Sequence, residues 1–135
     1  LSEHEQTARS KAARGVNFQA AVTRWKVLAA MKDASLLEVA IETGRTHQIR
    51  RHLEAVGHPV AGDRRYGDFA FNRAARQRWG LRRMFLHAWR LRLPHPATGA
   101  PLALEAPLPE ELARVLARMN LAAPPGRAPR PGGER

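Results

Sequence analysis

The sequence predicts an α+β fold with a mixed, mainly antiparallel sheet and flanking helices. Three observations carry that prediction. Apolar and polar residues alternate on both sides of Lys32-Asp33-Ala34-Ser35, the pattern of two strands joined by a polar turn. A second alternating pair flanks Pro94-His95-Pro96-Ala97-Thr98-Gly99, whose composition is that of a turn. A helical stripe follows each pair: Ile49, Leu53 and Val56 after the first, and Leu112, Val115, Leu116 and Met119 after the second. The 135 residues suffice for one domain.

In chain order, residues 1–18 are largely polar and lack periodicity, which predicts a flexible entry segment. The first strand starts at Val22, with Thr23, Trp25, Val27, Ala29 and Met31 on one face. The second carries Leu37, Val39, Ile41 and Thr43 and stops at Gly44. Thr46 is the expected N-cap of the helix that follows, and Gly57 its expected C′ residue. Residues 57–68 are rich in glycine and read as an ordered, irregular loop. Residues 71–79 form a short basic helix that Gly80 stops. Residues 85–93 read as a strand, with Phe85, His87, Trp89, Leu91 and Leu93 facing one way and Arg90 and Arg92 the other. Leu102, Leu104 and Ala106 form the return strand, and Pro107 ends it. Pro109 fits the first turn of the last helix, where Glu110 and Glu111 suit the positive helix end. Residues 121–135 read as a disordered basic Pro/Gly/Arg tail, so the domain itself spans 19–120.

Lysine and arginine total 23 against 12 acidic residues, a formal net charge of +11. That excess, mostly arginine, suits a polyanion such as nucleic acid, because the guanidinium fork hydrogen-bonds phosphates in pairs. Arginine enrichment equally fits a GC-rich coding sequence. The absence of cysteine excludes disulfides, thiolate metal sites and thiol nucleophiles. There is no apolar run long enough to span a membrane and no signal segment, so a cytoplasmic protein without membrane contact is expected.

The densest concentration of chemistry is Glu42-Thr43-Gly44-Arg45-Thr46-His47-Gln48-Ile49-Arg50-Arg51-His52-Leu53. It places a glycine, arginines, histidines and a glutamine where a strand turns into a helix. His47, His52 and His58 do not share the i,i+4 spacing of a helical ligand pair and have no acidic third ligand, so no metal is expected. Read from residue types alone, Arg50 fits an exposed i,i+4 ion pair with Glu54.

Three stretches together resemble the RluA-type family of RNA pseudouridine synthases. They are Gly44-Arg45-Thr46-His47-Gln48-Ile49-Arg50; Gly57-His58-Pro59-Val60 with Gly62-Asp63 and Tyr66-Gly67; and Leu86-His87-Ala88, His95-Pro96-Ala97-Thr98-Gly99 and Ala106-Pro107-Leu108-Pro109. Their order and spacing match the C-terminal half of that family's catalytic domain, over residues 19–119. The resemblance implies isomerisation of uridine to pseudouridine in RNA, most like the enzymes of large-subunit ribosomal RNA, without metal or organic cofactor, by an intact enzyme that is a monomer. The target base is flipped into a pocket, and an aspartate carboxylate attacks the nucleoside. By motif match Arg50 is the counter-charge of that aspartate, holding a desolvated carboxylate ionised. Arg45, Thr46, His47, Gln48, Arg51, Arg64 and Arg65 are the expected RNA-binding residues, with hydrogen bonds to backbone the other reading for His47 and Gln48; Arg73, Arg76, Arg78, Arg82 and Arg83 extend an RNA path. His87 and His95 are expected to be structural.

The sequence departs from the family pattern in two respects. The His-Arg-Leu-Asp stretch that carries the nucleophile does not occur, and Tyr66, the single tyrosine, is not in the context of the family's base-stacking tyrosine. Asp63 matches a family position suited to fixing the loop rather than attacking. The chain therefore reads as part of a catalytic domain whose Arg50 answers an aspartate it lacks, and on its own as inactive. The other reading is a non-catalytic basic RNA-binding remnant.

Overall fold

The structure, a computed structural model, describes residues 6–14 and 17–121, with side chains from residue 21 onward. The expected tail beyond residue 121 lies outside the described residues. Two compact units divide the chain, Leu1–Phe85 and Leu86–Arg135.

The first unit holds a three-stranded antiparallel sheet in the order β1-β2-β3, comprising β1 (Gln6–Arg14), β2 (Asn17–Ala30) and β3 (Ser35–Ile41). β1 corrects the expected flexible entry over 1–18: it pairs with β2 from Gln6↔Trp25 to Arg14↔Asn17. The segment Gln6-Thr7-Ala8-Arg9-Ser10-Lys11 has no alternation of large apolar residues to betray a strand. Its order comes from the ladder that the long β2 offers. On β2, Ala21, Thr23 and Trp25 are buried on one face. That alternation stops at a bulge between Val27 and Ala29, where the β2–β3 register shifts. An extra residue in one strand changes which face each following side chain takes. The turn after β2 closes with Met31 N–H donating to Ala34 C=O (2.8 Å).

Helix α1 (Gln48–Ala55) lies against β1 and β2. Its C-terminus has the expected form. Gly57 takes a positive φ of 83°, its N–H donates to Glu54 C=O, and His58 N–H donates to Leu53 C=O, a Schellman closure. The N-terminus differs from expectation. Thr46 is exposed and does not cap the helix; His47 is the N-cap, in the left-handed conformation (φ 51°, ψ 31°). The buried face differs too. It consists of Gln48, His52 and Leu53, while Val56 is 42% exposed. The helix is set by polar bonds to β2 as much as by apolar contact.

The loop 57–68 runs into α2 (Phe69–Trp79), capped by the Asp68 carboxylate, which accepts from Phe71 N–H at 3.0 Å. Ala75 and Trp79 are its buried residues, and Gly80 ends it at φ 72°.

The second unit holds a hairpin of β4 (Arg90–Pro94) and β5 (Pro101–Glu105), then α3 (Glu110–Arg118) with Leu112, Val115 and Leu116 buried. Of the strand expected over 85–93 only the last four residues are in β4, which runs on to Pro94. β5 runs into Pro107, which has no N–H, so residues 85–88 have no ladder partner there. Trp89 still accepts from Ala106 N–H at 2.8 Å. Leu91 and Leu104 face each other across the hairpin and are 56% and 50% exposed. His87 Nε2 lies 2.9 Å from Ala106 C=O, and His95 Nδ1 accepts from the N–H groups of Ala97 and Thr98 within the hairpin turn.

Candidate active site

The site is built where β3 hands over to α1. Gln48 makes the turn. Its Oε1 accepts from Thr43 Oγ1 (2.8 Å) and Arg45 N–H (3.1 Å), and its Nε2 donates to Val22 C=O (2.9 Å) and Thr23 Oγ1 (3.0 Å). Gln48 is buried, and its amide is fully engaged within the protein. Through these bonds, two of them to backbone, Gln48 braces the junction against β2. One helical turn on, His52 Nδ1 lies 2.7 Å from Thr23 Oγ1. Thr23, fully buried, is thus shared by two residues of α1. Burial lowers the His52 pKa, with Arg51 adding to the effect, so the imidazole is neutral and the Thr23 hydroxyl can donate to it.

The turn held by Gln48 puts His47 and Arg50 on the side facing the 57–68 loop. Arg50 meets Asp63 in a two-point ion pair, Nε to Oδ2 at 2.7 Å and Nη2 to Oδ1 at 2.8 Å. The i,i+4 pairing with Glu54 does not form this contact. The carboxylate facing Arg50 within this chain is that of Asp63. Asp63 is fully buried and Arg50 is 18% exposed. Oδ1 of Asp63 also accepts the N–H groups of Arg65 (2.9 Å) and Tyr66 (3.0 Å), so the carboxylate ties the loop to itself and to α1. The Arg50 hydrogen bond, helped by the two backbone donors, outweighs burial and holds the Asp63 carboxyl far below the usual carboxylate range.

Tyr66 completes the cluster. The guanidinium carbons of Arg50 and Arg65 lie 5.1 and 5.3 Å from its ring centroid. His47 packs edge-on against the same ring (5.6 Å, 72°), with Nδ1 3.0 Å from the tyrosine hydroxyl; the direction of that hydrogen bond follows the imidazole tautomer. Burial, and then the neighbouring Arg50, lower the His47 pKa and keep the ring neutral. A non-glycine residue at positive φ stores strain, and here it does so inside the candidate site.

Asn72 of α2 fixes the far side of the loop, its Oδ1 accepting from Gly62 N–H (2.8 Å) and its Nδ2 donating to Asp63 C=O (3.0 Å). Two glycines permit the close packing. A Cβ on Gly62 would meet Arg83 C=O at 2.2 Å, and one on Gly67 would meet Asp63 C=O at 2.1 Å.

Of the residues expected from sequence, Arg50, His47 and Arg65 come together here. Arg51 is exposed on α1 within electrostatic range of His47. Arg45, Thr46 and Arg64 are exposed; Arg45 joins the network only through its backbone, and the side chains of all three stand outside it. Asp63, Tyr66, Thr23 and Asn72 belong to the site; Asp63 was expected only to fix the loop, and the other three were not expected in it. The only signal for the first two was their place in the Gly62-Asp63 and Tyr66-Gly67 pairs.

The strand-to-helix turn and its guanidinium lie within the stretch that is similar to a known family. The family model for RNA pseudouridylate synthase matches residues 1–55. The ribosomal large subunit pseudouridine synthase C of Vibrio vulnificus is 45% identical over 100 residues, covering 74% of this chain and 31% of that protein. The corresponding protein of Escherichia coli K12 is 46% identical over 99 residues, covering 73% of this chain and 31% of its own length. The tRNA pseudouridine synthase C of Salmonella typhi is 41% identical over 113 residues, covering 76% of this chain and 44% of its own. The chain thus spans less than half the length of these relatives. Among solved structures, human RNA pseudouridylate synthase domain containing 4 superposes with a TM-score of 0.66 at 28% identity, covering 90% of this chain and 58% of that one. Human RNA pseudouridylate synthase domain containing 1 gives a TM-score of 0.63 at 26% identity, covering 85% and 54%. Over about three quarters of its length the chain is similar to RNA pseudouridine synthases.

Proposed function

We propose that this chain supplies one wall of the uridine pocket in a cytoplasmic, monomeric RNA pseudouridine synthase that works without metal or cofactor. The observation that carries the proposal is Arg50, held in one orientation by Asp63 and Tyr66 at the motif shared with the family. Its Nε–Nη2 edge is taken by Asp63. The rest of the guanidinium, through Nη1, retains donors for a second carboxylate. In the family that carboxylate is the nucleophile, which must stay ionised in a water-excluding pocket, and a guanidinium at hydrogen-bond distance lowers its pKa there. Sharing between Asp63 and the nucleophile fixes Arg50 in place while leaving it a net single charge to divide.

The His-Arg-Leu-Asp stretch that would carry the nucleophile is not among these 135 residues. Turnover therefore requires polypeptide beyond them. The target is RNA whose uridine is flipped from its stack. Large-subunit ribosomal RNA is favoured by the names of two of the relatives described above, and a tRNA by the third.

Release of tritium from RNA carrying 5-tritiated uridine tests the proposal, because pseudouridine formation exchanges the hydrogen at C5. The 135 residues alone release none. Joined to the N-terminal portion of the E. coli relative they release tritium, and Arg50→Ala in that chimera abolishes release with little loss of RNA affinity. Wild-type turnover by the Arg50→Ala chimera would sink the pocket role. A well-folded chimera that binds RNA without turnover would favour the second reading, a non-catalytic RNA-binding protein, to which the engagement of Arg50 by Asp63 lends support.

A further inference from the structure

The outer face of α2 carries a feature that the Arg50 site does not use. Phe69, Arg73 and Arg76 fall at i, i+4 and i+7 and so share one side of the helix. It flanks the face of Ala75 and Trp79, the helix's buried residues, about a quarter-turn round the helix. Phe69 is 56% exposed, the only aromatic among the large exposed hydrophobics of the described residues. Its ring makes no ring contact there, whereas Phe71 packs on Trp79 at 6.1 Å. Arg73 and Arg76 are both exposed and have no ion-pair partner among the described residues. No acidic residue occurs within α2. The nearest, Asp68, is engaged as the N-cap.

Each element of this face costs something if left bare. An exposed phenyl ring loses the free energy of burial. Two like charges at i,i+3 repel and weaken the helix. An unpaired strand of RNA offsets both at once. Its phosphates neutralise the arginines, and a splayed base stacks on the ring, the combination by which proteins hold single-stranded nucleic acid. A protein partner would cover the ring but would need acidic groups matched to both arginines. The net charge of +11 already sets the whole chain to attract a polyanion. We infer that Phe69, Arg73 and Arg76 form a docking face for an unpaired RNA segment, one base stacking on Phe69 and its adjoining phosphates on the two arginines. This face is separate from the Arg50 wall, and its test reads binding, not turnover, so either can fail without the other.

Fluorescence anisotropy of the full chain with a labelled uridine decamer is the test, run over a salt series. Phe69→Ala is expected to weaken binding roughly five- to a hundredfold, the range for losing one stacked base, with the salt slope unchanged. Phe69→Tyr keeps the stack and keeps the affinity. Phe69→Leu, which preserves apolar bulk without a π face, behaves like Phe69→Ala and guards against a folding effect of truncation. Arg73→Gln with Arg76→Gln lowers the slope of log affinity against log salt by about 1.4, at roughly 0.7 for each phosphate released from a single strand. An abasic decamer binds more weakly than the uridine decamer and is indifferent to Phe69→Ala. Undiminished binding of the uridine decamer by Phe69→Ala or Phe69→Leu overturns the proposal. So does failure of the wild-type chain to bind it, an equal loss on the abasic strand, or a self-association of the chain that Phe69→Ala abolishes.

Discussion

Arg50 and Asp63, thirteen positions apart, close a two-point ion pair that joins α1 to the 57–68 loop (Nε–Oδ2 2.7 Å, Nη2–Oδ1 2.8 Å). The same carboxylate takes the N–H groups of Arg65 and Tyr66, so guanidinium, loop backbone and tyrosine ring form one cooperative unit. Its energetic weight follows from burial. Asp63 has no contact with solvent, so loss of its partner leaves a buried charge with two backbone donors only.

Asp63→Ala is therefore expected to lower stability by on the order of 3 kcal/mol, the range for breaking a buried pair from one side. The urea unfolding midpoint measures it. Arg50→Ala removes the same contact from the other end, so the double variant should be no worse than the poorer single one, a clear departure from additivity. Additive losses would show that the two groups are adjacent without being coupled.

Acid should unfold the protein in two stages. Folding lowers the His52 pKa from its ordinary 6.5 by burial, so the unfolded chain takes up the proton first. Stability from this group is complete above 6.5 and declines as pH falls below it. His47, lowered the same way, adds to the decline. Folding also lowers Asp63, through Arg50, from an ordinary 3.8, so its contribution persists through this first stage and is lost only as pH falls below that value. Urea midpoints from pH 7 to pH 5 should fall, and His52→Gln should flatten part of that fall. A further drop in stability below 3.8 should be missing in Asp63→Asn. A wild-type midpoint that is level between pH 7 and pH 5 would contradict the neutral, buried state of His52.

Much of this arrangement was legible in the sequence, and the gaps have physical causes. The β2–β3 hairpin, the basic helix ending at Gly80, the Gly57 closure and the Glu110-Glu111 start of α3 follow from periodicity and turn chemistry, which are local. β1 was missed because its order comes from pairing with β2, and nothing in Thr7-Ala8-Arg9-Ser10-Lys11 advertises a strand by itself. The buried face of α1 was misread for a related reason. Gln48 and His52 are polar, and only the presence of Thr23 on a strand some twenty-five positions earlier makes their burial favourable. Arg50 stood out by motif, whereas its partner Asp63 could be found only by folding the loop back onto the helix.

Gln48 separates an architectural role from a binding one. Its amide joins Thr43, Arg45, Val22 and Thr23, all within the protein. Gln48→Ala takes the side-chain donor from the Val22 carbonyl and leaves the Thr23 hydroxyl with His52 alone, and about 1–3 kcal/mol should be lost. Gln48→Glu should be at least as damaging at neutral pH, since it turns an acceptor oxygen toward the Val22 carbonyl. RNA affinity of the folded fraction should stay close to wild type. An RNA-contacting glutamine would give the reverse, weaker binding at unchanged melting temperature.

The glycines of the site should rank by what surrounds them, which tests the loop geometry directly. Gly44 has open space where a Cβ would go and no positive φ, so Gly44→Ala should be nearly silent in stability. Gly57 has the same open space but a φ of +83°, so Gly57→Ala should cost about 1–2 kcal/mol from backbone strain alone. Gly67→Ala would drive a methyl to 2.1 Å from Asp63 C=O, and Gly62→Ala would put one 2.2 Å from Arg83 C=O at a φ of +81°. Both obstacles are backbone atoms, which cannot swing away as a side chain would. Each substitution should cost about 3 kcal/mol or more, with Gly62→Ala the worse because strain and collision combine. Thermal melts of the four variants should give the order Gly44, Gly57, Gly67, Gly62 from mildest to most damaging. Displacing Asp63 through Gly67→Ala should also loosen its hold on Arg50, and in the active chimera turnover should fall further than stability alone explains. A Gly67→Ala protein as stable as Gly57→Ala would mean that the loop does not pack back on itself at Asp63.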